Sequence, residues 1–108
     1  MARKFSPKDP DEVLDYSIDW SRLLGTDTIS TVIIKVATNR FGEESPIVLA
    51  AGLVQYDLQL EQVTNNNTIV TMRFGSGTAN VLYKITCAVT TAAGLTFART
   101  IELPIKEK

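Results

Sequence analysis

The sequence predicts an all-β domain built from two antiparallel sheets packed face to face. Three observations carry that prediction. Apolar and polar residues alternate in several stretches, as in Leu14, Tyr16, Ile18 and Trp20 against Asp15, Ser17 and Asp19. Turn-forming Gly, Asn and Pro punctuate those stretches at short intervals. No segment sustains a long helical period. The chain has 108 residues, 44% of them hydrophobic, which suits one globular domain with a real core.

The elements follow in order. Residues 1–10 read as an extended arm, with Pro7 and Pro10 and few apolar positions. Asp9-Pro10-Asp11-Glu12 carries a capping signature good for one helical turn at most. Residues 14–20 then form the first strand. Ser21 is placed to cap a short turn and Gly25 to end it. Residues 29–37, dense in β-branched side chains, form the second strand, with Ser30, Val32, Ile34 and Val36 on one face and Ile29, Ile33 and Lys35 on the other. Residues 38–51 read as a long connection holding a short edge strand in "IVLAAG".

Residues 53–61 alternate again, with Val54, Tyr56, Leu58 and Leu60 in phase. Asn65-Asn66-Asn67 is a turn in which Asn can take positive φ. Val70, Met72 and Phe74 line the next strand, and Gly75-Ser76-Gly77 turns the chain once more. Val81, Tyr83, Ile85, Cys87 and Val89 share a face in the following strand. "TAAG" is a tight hairpin loop with Gly94 free for a left-handed backbone. The last strand, 95–103, directs Leu95, Phe97, Ile101 and Leu103 inward, while Arg99 sits at a bulge or reaches a sandwich rim. This makes six to seven strands. The expected core is Leu14, Tyr16, Ile18, Trp20, Val32, Ile34, Tyr56, Leu58, Val70, Met72, Tyr83, Ile85, Cys87, Val89, Phe97 and Ile101. The domain spans residues 11–105 between the 1–10 arm and a charged 106–108 tail.

Composition excludes much chemistry. There is no histidine, so Ser-His-Asp, Cys-His and His-ligated metal arrangements are ruled out. The single cysteine, Cys87, permits no internal disulfide and falls in the core phase. Neighbouring carboxylates at Glu43-Glu44 and Asp11-Glu12 do not span a cleft as glycosidase chemistry needs. Asp9, Asp11, Glu12 and Asp15 lack the Gly and terminal Glu of a calcium loop. Gly75-Ser76-Gly77 lacks the Lys and helix of a phosphate cradle. No catalytic, cofactor or metal site is expected, and no enzyme activity. A net charge of −1 argues against nucleic acid. No apolar run reaches the roughly 20 residues of a bilayer span. The N-terminus lacks a secretory h-region, which points to synthesis in the cytoplasm and makes Asn66-Asn67-Thr68 a turn rather than a glycosylation site. One aromatic is out of place: Phe5 lies in a basic, Pro-flanked arm beside Arg3 and Lys4. These three are the expected interface residues, and removing residues 2–8 is expected to spare the fold.

The residues from Lys8 to Ile29 resemble the start of a group of small tailed-bacteriophage virion proteins. The pattern is K-D-P-x-x-x-L-D-Y-x-x-D-W, matched by Lys8, Asp9, Pro10, Leu14, Asp15, Tyr16, Asp19 and Trp20. A closing hairpin in residues 75–103 is similar too, although Leu95 replaces a basic residue after Gly94 and Thr26 departs from a plain Gly-Asp-Thr corner. The likeness covers about half the chain; residues 38–67 diverge and run long. It implies an Ig-like β-sandwich in a non-enzymatic virion component. The first expectation is a head decoration or cement protein, the second a neck or tail accessory protein. The implied partners are phage capsid or tail subunits and copies of the chain itself, bound through the arm and strand edges. A module recognising host carbohydrate through Trp20 and Tyr56 is the remaining alternative.

Overall fold

The computed structural model describes residues 3–38 and 47–107. The polar connection around Gly42, with Glu43 and Glu44, lies outside the described residues, as does Lys108. Among the described residues, nine strands and one short helix follow in order: β1 Arg3–Lys4, β2 Leu14–Asp19, α1 Ser21–Leu24, β3 Ile29–Thr38, β4 Ile47–Val48, β5 Val54–Gln55, β6 Leu58–Asn65, β7 Ile69–Ser76, β8 Leu82–Thr91 and β9 Thr96–Pro104. They form two layers, a five-stranded sheet ordered β1-β9-β8-β3-β4 and a four-stranded sheet ordered β2-β7-β6-β5. All neighbours are antiparallel except β1, which runs parallel to β9. The short edge strand expected in "IVLAAG" is β4, and the strands beyond the expected set are the two-residue pieces β1 and β5.

The alternation of β2 behaves as its pattern requires. Tyr16 and Ile18 are buried while Asp15, Ser17 and Asp19 face water. Leu58, Val70, Met72, Tyr83, Ile85, Cys87 and Val89 are fully enclosed between the layers, with Ile34 and Ile101 nearly so. Burying each large apolar side chain contributes about 1.5–3 kcal/mol, so this inner layer supplies the driving force. Leu14, Val32, Tyr56 and Phe97 sit at its rim, half-buried. Leu24, Ile29, Val36, Leu49, Leu60, Phe74, Val81, Leu103 and Ile105 join the core beyond the expected set.

Five local expectations change. Residues 53–61 are not one strand: Tyr56 (φ 52°) and Asp57 (φ 67°) make a two-residue hairpin turn between β5 and β6. Positive φ at both central positions matches the twist of flanking strands. The turn breaks the phase and leaves Val54 exposed. In β3, the pairing with β8 shifts between Ile29 and Thr31. That bulge moves Ile29 into the core and Ser30 to the surface. Leu95 points outward because it belongs to the hairpin loop, where Gly94 takes φ 88°. The Asn turn works through a side chain instead of positive φ: Asn66 Oδ1 accepts from the N–H groups of Thr68 and Ile69 at 3.2 and 2.9 Å. A related exchange occurs at α1, where Asp19 Oδ1, not Ser21, accepts the free N–H, that of Ser21 itself, at 2.9 Å.

Arg99 resolves in favour of the rim. The β8–β9 ladder runs without a bulge, with Arg99 opposite Cys87. Its guanidinium lies 5.9 Å from the Trp20 ring centre.

Candidate interaction surfaces

The N-terminal segment is built into the sandwich. Arg3 and Lys4 pair with Ile101 and Glu102 of β9. Phe5 donates its N–H to the Glu102 carbonyl at 2.8 Å, and its ring lies 4.6 Å from that of Tyr16. Phe5 is half-buried against the core rather than free to anchor a partner. Lys8 is the decisive tie. Its backbone N–H donates to Pro104 O at 3.1 Å and its carbonyl accepts from Lys106 N at 2.9 Å. Its side chain is completely enclosed, and Nζ donates to Ser76 O at 2.6 Å and Asp9 O at 2.7 Å. Deleting residues 2–8 would therefore remove part of the fold itself. Downstream, Asp9 N donates to Glu12 Oε1 at 2.8 Å and Glu12 N to Asp9 O at 3.0 Å. The capping signature closes a single turn and no helix follows.

The same end of the molecule collects four other chain segments. The Tyr83 hydroxyl donates to Tyr56 O at 2.6 Å and accepts from Thr78 N at 3.0 Å. Gly77, at φ 98°, donates to Asp57 O at 2.7 Å. A Cβ there would meet the Ile105 side chain at 3.1 Å. Ser76 and Asn80 also hold positive φ. Such left-handed positions in residues other than Gly cost energy locally and persist where surroundings fix them. Here the Lys8 ammonium on Ser76 O and the bond from Asn80 N–H to Ile105 O, at 2.7 Å, do the fixing. Sequence reading placed Lys8 in a solvated arm, since a lone Lys near a terminus gives no sign of burial. Its place in the K-D-P pattern was the available signal.

Reactive side chains are sequestered. Burial pushes the Cys87 thiol up to about 12, and the neighbouring Trp20 indole offsets this only in part. Burial, with a smaller effect of Glu12, likewise pushes Tyr16 up to about 12. Trp20 is 1% exposed and Tyr56 half-buried, so neither offers an open ring to a sugar. Asp15 and Arg73 pair at 2.8 Å on the outer face of the four-stranded sheet. The hydrogen bond from Arg73 holds the Asp15 carboxyl below its ordinary range.

What remains open is edges. β4 pairs with β3 only at Lys35 and Val36, and β5 pairs with β6 only at Leu58 and Gln59. Both sheets therefore stop short on one flank. There a groove of about 450 Å³ lies between Val32, Ile34, Leu49 and Val63. Ile33, Ile47, Val48, Leu53 and Val54 are exposed. On the opposite side of the five-stranded sheet, β1 covers only the Ile101–Glu102 part of β9.

A family model described as the podophage GP4 fiber-tail adaptor protein gp77 matches residues 8–104. The chain belongs to the Gp77 family. The matched span begins and ends on Lys8 and Pro104, the two residues that the backbone bond just described joins. Membership makes the chain a phage structural protein of the virion and associates it with tail components. It lends nothing to head decoration, the first expectation, and favours the second. No curated protein matches the sequence. Among solved structures, Astrotactin-2, described as a conserved vertebrate-specific and perforin-like membrane protein involved in neuronal development, is similar with a TM-score of 0.57 at 14% identity. The similarity covers 96% of this chain and 20% of that one, and it concerns the fold alone. No helix among the described residues is long and apolar enough to cross a membrane.

Proposed function

We propose that this chain is a non-enzymatic adaptor between the tail and the fibers of a podophage virion. The family match over residues 8–104 carries the reading. The architecture supports it. Strands β2, β7 and β6 in one layer and β9, β8 and β3 in the other follow the B-E-D and G-F-C order of an Ig-like sandwich. Such a slab offers edges and loops for contact while its inner faces are filled. The enclosed cysteine and the acidic groups at Asp9–Glu12, which hold a turn, suit a structural role.

The contact surfaces in this reading are strand edges, with Arg3, Lys4 and Phe5 contributing as the β1 edge of the five-stranded sheet. An exposed edge presents backbone donors and acceptors to an incoming strand. The test is localisation on intact particles with an affinity-tagged chain. Tag density confined to the tail, near the base of the fibers, is the expected result. Density spread over the head shell would overturn the reading and restore a decoration role.

A further inference from the structure

We propose that copies of this chain join head to tail through the two open edges of the five-stranded sheet, the β3 edge around Val32 of one copy pairing in parallel with the β9 edge around Phe97 of the next. The proposal rests on the structural-subunit reading for its setting and names the surface and partner of one of its contacts.

The backbone orientation makes both edges available. Leu49 N donates to Ile34 O on the β4 side of β3, so the even-numbered residues of β3 direct their backbone groups outward. Val32 is one of them, and no strand among the described residues pairs with it there. Phe5 N donates to Glu102 O on the β1 side of β9, so its even-numbered residues also face outward. Thr96 and Ala98 are among them, beyond the reach of β1.

The two edges are level. Val32 pairs with Val89, which pairs with Phe97, in one inward-facing row. Ile33, Ala88 and Ala98 form the next row on the outer face. Because β3 and β9 are both antiparallel to β8, they run parallel to each other, and a level junction between copies is a parallel ladder. Val32 then donates to Thr96 O of the neighbouring copy and accepts from Ala98 N, a regular parallel bonding pattern.

Burial points the same way. Val89, mid-row, is 0% exposed, whereas Val32 and Phe97 at the row ends are only half-buried. Joining the edges puts each end against the other. Ile33, 49% exposed, would lie beside the small Ala98 of the neighbour. Charge does not oppose the union. Residues 29–34 carry none, and the one cation of the β9 edge, Arg99, rests over Trp20. The usual protections of an edge, a Lys or Pro, are missing from the uncovered stretches 29–34 and 96–99; Lys35 and Pro104 fall where β4 and the N-terminal segment already cover the strands. The junction uses two different surfaces, so it is heterologous and propagates into a ring or a filament.

The test uses purified chain. Val32→Pro and Ala98→Pro each remove one outward N–H and no bond to β8, a position where strands tolerate Pro. Circular dichroism and thermal melts verify folding, and Ile33→Lys and Thr96→Pro are second blocks for the two edges. In sedimentation the wild-type chain should gain mass with concentration, and each blocked variant alone should stay a monomer. An equimolar mixture of a β3-blocked and a β9-blocked variant should form a 1:1 dimer and nothing larger. A wild-type monomer at the highest soluble concentration overturns the proposal. So does a blocked variant that still dimerises alone, which would show an isologous contact, or a mixture that stays monomeric. Those results leave localisation on the tail untouched.

Discussion

Replacing Lys8 by Met tests the most unusual feature of the fold, a completely enclosed ammonium at the junction of five chain segments. Met keeps nearly the same length and volume but donates nothing. Two charge-assisted bonds, to Ser76 O and Asp9 O, are lost. Each is worth about 1.5–3 kcal/mol net, and two part-buried carbonyls are left short of a donor. Against this stands the gain from no longer burying a charge, which recovers part of the loss. The expected net destabilisation is about 2–4 kcal/mol. For a domain of this size that lowers Tm by roughly 10–25 °C. Thermal and urea unfolding followed by far-ultraviolet circular dichroism measure it, with Lys106→Met, at an exposed site bearing no such bonds, as the control expected to stay near wild type. A Lys8→Met chain as stable as wild type, or more so, would refute the reasoning, because the ammonium would then be a tolerated burden rather than a tie.

Three further outcomes are expected. Tyr83→Phe removes a hydroxyl that both donates to Tyr56 O and accepts from Thr78 N, and should cost about 1–3 kcal/mol in urea unfolding. Asp27 is held below the ordinary carboxylate value of 3.8, first by the Thr91 side chain and then by the backbone N–H of Thr28. A carboxylate depressed in the folded state stabilises above its unfolded pKa and loses that contribution as pH falls through the folded one. The stability gap between wild type and Asp27→Asn should accordingly be full at neutral pH and close only below about pH 4; a gap unchanged at pH 2 would contradict it. Cys87, enclosed and pushed up to about 12, should resist maleimide in the native chain and react at once in denaturant; rapid native labelling would place it at a surface.

The layers were legible in the sequence because a strand with one wet face must alternate, and β2, β7 and β8 do so without interruption. The end-to-end order of elements was legible too, since Gly25, the Asn run and Gly94 mark turns by local chemistry. Val54 and Leu95 were misplaced for the same reason that others were right. Alternation continues through a two-residue turn or into a loop without any change in the pattern. Phase can only be reset by backbone dihedrals, and Tyr56 and Asp57 take positive φ because the Tyr83 hydroxyl and Gly77 N–H, far along the chain, hold them there. The arm misled in a comparable way. Phe5 and Lys8 look solvated when read with their neighbours, and become core and clamp only against β2 and β9.

By itself, then, the sequence determined that the chain folds as two β layers around an aliphatic and aromatic interior, and that it lacks the histidines on which most small hydrolases depend. Both follow from residue type and period, which are local properties. Tertiary structure alone decided which strands lie at the edges and how far each is covered. That depends on pairings between residues dozens of positions apart, and it leaves Val32 and Phe97 at the two unfinished ends of one buried row.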